Sequence, residues 1–234
     1  MIIPLPSRKS TKFSVHSPRF PRRAFLRAAA ATPAAAFSAC RMSPSPAVIV
    51  PRPTDIRIEE VSFAFEDFPY RTPYHFGGRK VDRTPLLNAH CVVRTRDGRT
   101  ARGFGSMTLG NAWSFPSKTL SFDQTLDTMK GLAARIRDVY AACRESGHPI
   151  DVGVLLESAC LAVAERVAGD LTAGGPIPKL CVLVTASPFD AALHDAFGKA
   201  HGRHVYDCYG PDWMNADLSR YLDEQFRGEY LDRY

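Results

Sequence analysis

Residues 187–210 read SPFDAALHDAFGKAHGRHVYDCYG. Ser187 followed by Pro188 is a helix start, because proline at the first helical position gives up an N–H that has no intrahelical partner there. Gly202, just past an apolar-periodic run, is a stop, since glycine takes the left-handed conformation that ends helices without steric cost. The spacing predicts a helix over 189–201. Asp190 and His194 are four apart on it, the spacing of an ordinary pair on one helix face. A histidine flanked by carboxylates at 190 and 195 invites a proton-transfer role, but the helical spacing already accounts for it. Gly198, Lys199 and Gly202 form no phosphate loop, because neither the GxxxxGK[ST] spacing nor a preceding strand is there.

Upstream, 179–186 (KLCVLVTA) fits a short buried strand or the start of another helix, and periodicity does not choose. Residues 152–171 read as a largely apolar helix ended by Gly174, Gly175 and Pro176. Ser121 caps a further helix over 122–144, with Leu126, Met129, Leu132, Ala133, Ile136, Val139 and Tyr140 at helical spacing. Before it the period changes to two. Residues 56–65, 86–95 and 100–107 read as strands, the last two joined by the strong turn signal Asp97-Gly98. Between the first two lies an aromatic-rich loop, 66–85, with Pro69, Pro73 and Gly77-Gly78. The expected class is α+β: a three-stranded antiparallel meander followed by a helical bundle, without internal repeats.

Two pieces of this order resemble a known family. Asp190, Ala191, Ala192, Leu193, His194, Asp195, Gly198, Lys199, Ala200 and Gly202 match the segment closing the N-terminal capping domain in one branch of the enolase superfamily. That branch is the mandelate racemase and muconate lactonizing enzymes. His194 replaces the Trp more often found there. Asp97-Gly98 with Gly103-Phe104-Gly105 resembles the hairpin in which that family writes DG…GWGE, and Ser106 stands where an acid is frequent. The resemblance runs over 55–234.

It implies a capping domain at 55–210 and a lead-in, 211–234, to a (β/α)8 barrel. Members hold Mg2+ at the barrel mouth with three acids and remove a proton beside a carboxylate, the metal stabilising the enediolate. A barrel needs roughly 250 residues, whereas 24 follow Gly210, polar and aromatic without a strand period. The barrel is therefore expected to be absent, and no catalytic residue or metal ligand carries over. The lid does. Its loops at 68–84 and 107–117 would exclude water and shape the pocket. Tyr70, Tyr74, His75 and Phe76 in the first, and Trp113 and Phe115 in the second, are candidate substrate contacts, although they suit packing on a neighbouring domain equally well. The expectation is the N-terminal part of an isomerase or dehydratase for a carboxylate or acid sugar, inactive alone and a homo-oligomer in full-length form. The rivals are a non-enzymatic exported binding module with the same fold, and an unrelated α+β binding protein.

The first 54 residues read differently. Nine bases precede the first acid, Asp55, and without them 21 bases face 24 acids. The basicity therefore belongs to the leader, not to a nucleic-acid-binding face. Residues 19–40 (RFPRRAFLRAAAATPAAAFSAC) have the charged front, apolar middle and small-residue end of a signal peptide. Arg22-Arg23 resembles the twin-arginine address of the bacterial export route, which delivers to the periplasm or cell envelope. Cys40 ends a degenerate lipobox and is a candidate lipid anchor to the membrane; 41–54 is a Pro- and Ser-rich linker. Cys91, Cys143, Cys160, Cys181 and Cys208 follow no CxxC spacing, and three of them sit in apolar runs that suit buried free thiols. No stretch of about 18 apolar residues is present.

Overall fold

A computed structural model describes residues 51–171 and 175–234. The expected signal peptide at 1–40, Cys40, most of the linker and Gly174 lie outside the described residues. The elements are β1 (Ile56–Phe76), β2 (Arg79–Thr95), β3 (Thr100–Thr108), α1 (Asn111–Ser114), α2 (Phe122–Ala142), β4 (Ser146–Gly147), α3 (Pro149–Leu171) and α4 (Lys179–His201). Short 3-10 turns follow, from Val205–Cys208 to Leu231–Arg233. The class is α+β, with one antiparallel sheet in the order β3-β2-β1-β4.

The sheet buries one face and leaves the other partly solvated, as the period of two requires. Leu87, Ala89, Cys91 and Val93 point into the core, while Asn88, His90 and Val92 alternate with them on the open face. Helix α4 packs on β2 and β3, and α2 packs on β1. The shared core is filled by Ile136, Met129, Leu132, Phe189, Leu193 and Phe197.

Helix α2 starts where its sequence says. The Ser121 hydroxyl accepts from the Gln124 N–H while the Gln124 side chain accepts from the Ser121 N–H, a reciprocal capping box. Ser121→Ala should lower unfolding free energy by about 1 kcal/mol, measured as a fall in urea midpoint; an unchanged midpoint would show that the first turn is held without the cap.

The sheet has four strands rather than three, since Ser146 and Gly147 pair with Arg57 and Ile56. Two residues carry no readable period. Helix α3 begins at Pro149, three residues before the expected start. The 179–186 segment is helical and continuous with the expected 189–201 helix, so Pro188 sits inside α4 and does not open it. Proline cannot bond the Val184 carbonyl four residues back, and the Ser187 hydroxyl donates to that oxygen at 3.0 Å instead. Residues on both sides of Pro188, among them Val184, Phe189 and Leu193, are buried in the same core, which keeps the two halves coaxial. Among the described residues α4 is long and apolar enough to span a bilayer by length and composition, yet most of it is buried in this core. It ends at Gly202 with φ of 63°. There the Arg203 and Gly202 N–H groups bond Gly198 and Lys199, the paired closure typical of a left-handed cap.

Residues 211–234 pack back on the domain. Met214 and Leu218 are buried, Asn215 donates to the Asp55 carboxylate at 2.9 Å, and Tyr221 donates to Asp151 at 2.8 Å.

Candidate functional site

The segment expected to be a loop at 68–84 is the outer half of a long β-hairpin. Strand β1 continues to Phe76, pairing Tyr74 with Val81, His75 with Lys80 and Phe76 with Arg79. Gly77 and Gly78 turn the chain with φ of 56° and 78°. Positive φ at both central residues is the geometry that matches the twist of the flanking strands, and it selects glycine. The register shifts between Pro69 and Tyr74. Pro73 lies in that stretch and has no N–H to give a ladder.

Within the hairpin Tyr74 and Phe76 alternate with His75, which places the two rings on one face and the imidazole on the other. The Tyr70 ring meets Tyr74 edge-on, 5.6 Å between centroids. Phe68, Tyr70, Tyr74, His75 and Phe76 are all exposed. Phe68 was not among the expected contacts, although its alternation with Tyr70 is a readable signal.

The second segment leaves the sheet beside the root of the first. Leu109 donates its N–H to the Pro85 carbonyl at 2.9 Å, and Pro85 pairs with Asp67. Helix α1 is fixed there by Asn111, whose amide donates to the Phe122 carbonyl and to the Thr125 hydroxyl. Arg83 ties the hairpin root to the start of α2, pairing with Asp123 and lying over the Phe122 ring. Trp113 packs its indole on Gly110, where a Cβ would come within 2.1 Å of Nε1, and stays partly exposed. Phe115 does not join it. Only 5% of Phe115 is exposed, and it belongs to the core. Its role is to anchor the loop, which corrects its expected place among the substrate contacts.

These groups offer aromatic faces, two phenol hydroxyls and an imidazole: surfaces for binding. Among the described residues no three His, Cys, Asp or Glu side chains converge to hold a metal ion. They do not fit the Mg2+ site that the resemblance implies, and no metal chemistry is assigned to them.

The two motifs behind the resemblance are in direct contact. Strand β3 lies against α4 so closely that a Cβ on Gly103 would come 2.0 Å from the Ala192 carbonyl oxygen, and one on Gly105 would come 2.1 Å from that of Pro188. Asp195 accepts from the exposed Phe104 N–H at 2.8 Å and from Lys199. Asp190 and His194 are the expected pair, with Nε2 3.7 Å from Oδ1. Sequence spacing did not reveal Tyr209, whose hydroxyl lies 2.6 Å from His194 Nδ1. Burial lowers the His194 pKa against the opposing pull of Asp190. The tautomer bare at Nδ1 would accept from the Tyr209 hydroxyl, and the other would donate to it. The five cysteines at 91, 143, 160, 181 and 208 are buried and free, and burial pushes Cys91, Cys160 and Cys181 up to about 12.

No family model matches the chain, and no curated protein matches it. Among solved structures it is similar to L-talarate/galactarate dehydratase from Salmonella typhimurium LT2, at 19% identity and a TM-score of 0.39 over 66% of this chain and 33% of that one. It is also similar to the dipeptide epimerase of Methylococcus capsulatus (16%, TM-score 0.38, covering 64% and 34%). A third is a mandelate racemase/muconate lactonizing enzyme-like protein from Rubrobacter xylanophilus (14%, TM-score 0.35, covering 65% and 33%). The chain spans about a third of the length of each.

Proposed function

We propose that this chain supplies the substrate-capping domain of a mandelate racemase/muconate lactonizing-like enzyme, an isomerase or dehydratase of a carboxylate or acid sugar. The twin-arginine-like leader exports it, and Cys40 is its candidate membrane anchor. The observation that carries the reading is the junction of β3 and α4. The two sequence motifs that resemble this family, 89 residues apart from Gly103 to Ala192, occupy one interface in which glycine is required at both strand positions. In this reading the aromatic hairpin and the α1 loop, rooted together at Pro85 and Leu109, close over the substrate. Mg2+ and the catalytic bases come from a (β/α)8 barrel, and full-length subunits associate as homo-oligomers.

The test is the intact mass and activity of the native protein from its source. The expected result is a chain longer than 41–234 by roughly 250 residues, converting an acid sugar such as galactarate and inactivated by a chelator. A native chain with the mass of 41–234, soluble and without such activity, would overturn the enzyme reading in favour of an exported binding module.

A further inference from the structure

Between α3 and α4 lies a cavity of about 320 Å3. Ile150, Val154 and Leu183 give it apolar walls, and Asp190, Glu157 and Tyr140 are among its polar groups. We propose that it binds a small organic monocation, a primary ammonium on an apolar body.

Three features support this ligand. The first is Tyr140, which α2 contributes to the cavity. It is only 2% exposed, its ring packs on Phe189 at 5.6 Å, and its hydroxyl makes no hydrogen bond among the described residues. The hydroxyl is not among the buried unpaired polar atoms of the described residues, which are Asp151 Oδ2 and Asn215 Oδ1, and the side chain lines a space from which a donor can reach it. The second is Gly153, in the interior of α3, where glycine costs about 1 kcal/mol relative to alanine. A Cβ there would lie 2.9 Å from Asp190 Oδ1, so the glycine keeps the carboxylate and the space beside it free.

The third is charge. Asp190 has no close cationic partner, since His194 Nε2 stands 3.7 Å away, beyond hydrogen-bond reach. Burial lowers the His194 pKa and raises that of Asp190, and a cation beside Asp190 would favour its charged form. Glu157 meets Lys179 only at 3.7 Å, with both side chains largely solvated. Two carboxylates in an apolar-walled space repel anions, and they attract a cationic donor more strongly than a neutral one because both partners of the bond are then charged. An ammonium has three donors to share between Asp190, Glu157 and the Tyr140 oxygen. The described acids and histidines form no metal-holding trio, so a metal ion lacks ligands here. The volume lies at the small end for ligand sites and limits the body to roughly ten heavy atoms. The inference does not rest on the capping reading, because none of the hairpin aromatics lines this cavity.

Calorimetric titration of the full chain with benzylamine tests it, with benzyl alcohol and benzoate as probes of the same shape. Saturable benzylamine binding is expected, about tenfold or more weakened for both analogues and for Asp190→Asn, as loss of a bond to a charged group implies. Tyr140→Phe should weaken it several-fold, and Gly153→Leu, which fills the space, should abolish it. Circular dichroism checks that each variant folds; if Asp190→Asn does not, the probe series and Tyr140→Phe decide. Absence of saturable benzylamine binding, equal affinity for benzyl alcohol, or binding indifferent to both Asp190→Asn and Tyr140→Phe would overturn the assignment.

Discussion

Gly103→Val is expected to yield no folded protein, and Gly103→Ala to lose about 3 kcal/mol of stability, at the upper end for overpacking a well-filled interior. The cause is steric, not conformational. A methyl at this position would stand 2.0 Å from the Ala192 oxygen and 2.4 Å from the Ala196 nitrogen. Both are helix backbone atoms, which cannot rotate away as a side-chain tip does. Relief requires α4 to lift off β3, and α4 carries much of the core, including Phe189, Leu193 and Phe197. Against a total of about 5–15 kcal/mol for an ordinary domain, even the single methyl is severe. Gly98→Ala is the control. Gly98 has φ of 89° with no atom within 4 Å of a Cβ, so it loses only the left-handed preference, about 1–2 kcal/mol. Chemical denaturation of the two alanine variants separates the mechanisms. If Gly103→Ala is no worse than Gly98→Ala, the close approach of β3 and α4 does not persist in solution.

That interface also shows how far the sequence could be read. The Gly103-Phe104-Gly105 strand and the Ala-rich helix were each legible, because glycine in a strand and a helix stop at Gly202 have local causes. Their contact was not, because packing across 89 residues leaves no period. Local rules went astray where tertiary terms outweighed them. Pro188 looked like a helix start, yet the core on both sides and the Ser187 hydroxyl carry the helix through it. The 66–85 segment looked like a loop because Pro69 and Pro73 interrupt the alternation. Gly77-Gly78, with Phe76 and Arg79 paired across it, held the hairpin signal and was outweighed by the prolines. In the second loop, Phe115 and Trp113 are two residues apart and similar in character. Only burial separates the core anchor from the ring left at the surface.

His148 should make stability fall steeply with acid. Its ring is buried, packed on Phe197 at 4.9 Å, and it precedes Pro149 at the start of α3. The Ile150 N–H donates to Nδ1 at 3.3 Å, as a cap should, and Nε2 lies 2.9 Å from the Cys208 carbonyl. One neutral tautomer satisfies both: Nδ1 bare, Nε2 protonated. Imidazolium would turn a hydrogen towards the Ile150 N–H and place a charge at the positive end of the helix. Burial is the main reason that its pKa drops from 6.5 to about 4. Between those values the unfolded chain binds the proton and the folded one does not. The contribution of His148 is therefore complete above pH 6.5, lost progressively as pH falls towards 4, and constant below it. The full difference corresponds to about 3 kcal/mol. Urea unfolding of the wild type and His148→Asn from pH 7.5 to 4 isolates this from the carboxylates, which titrate in both. The variant is expected to be weaker at neutral pH but shallower in slope below pH 6.5, and the wild-type His148 ring resonances should show no titration above pH 5. Parallel slopes, or a ring titrating near 6.5, would mean that His148 is solvated and α3 is capped by other means.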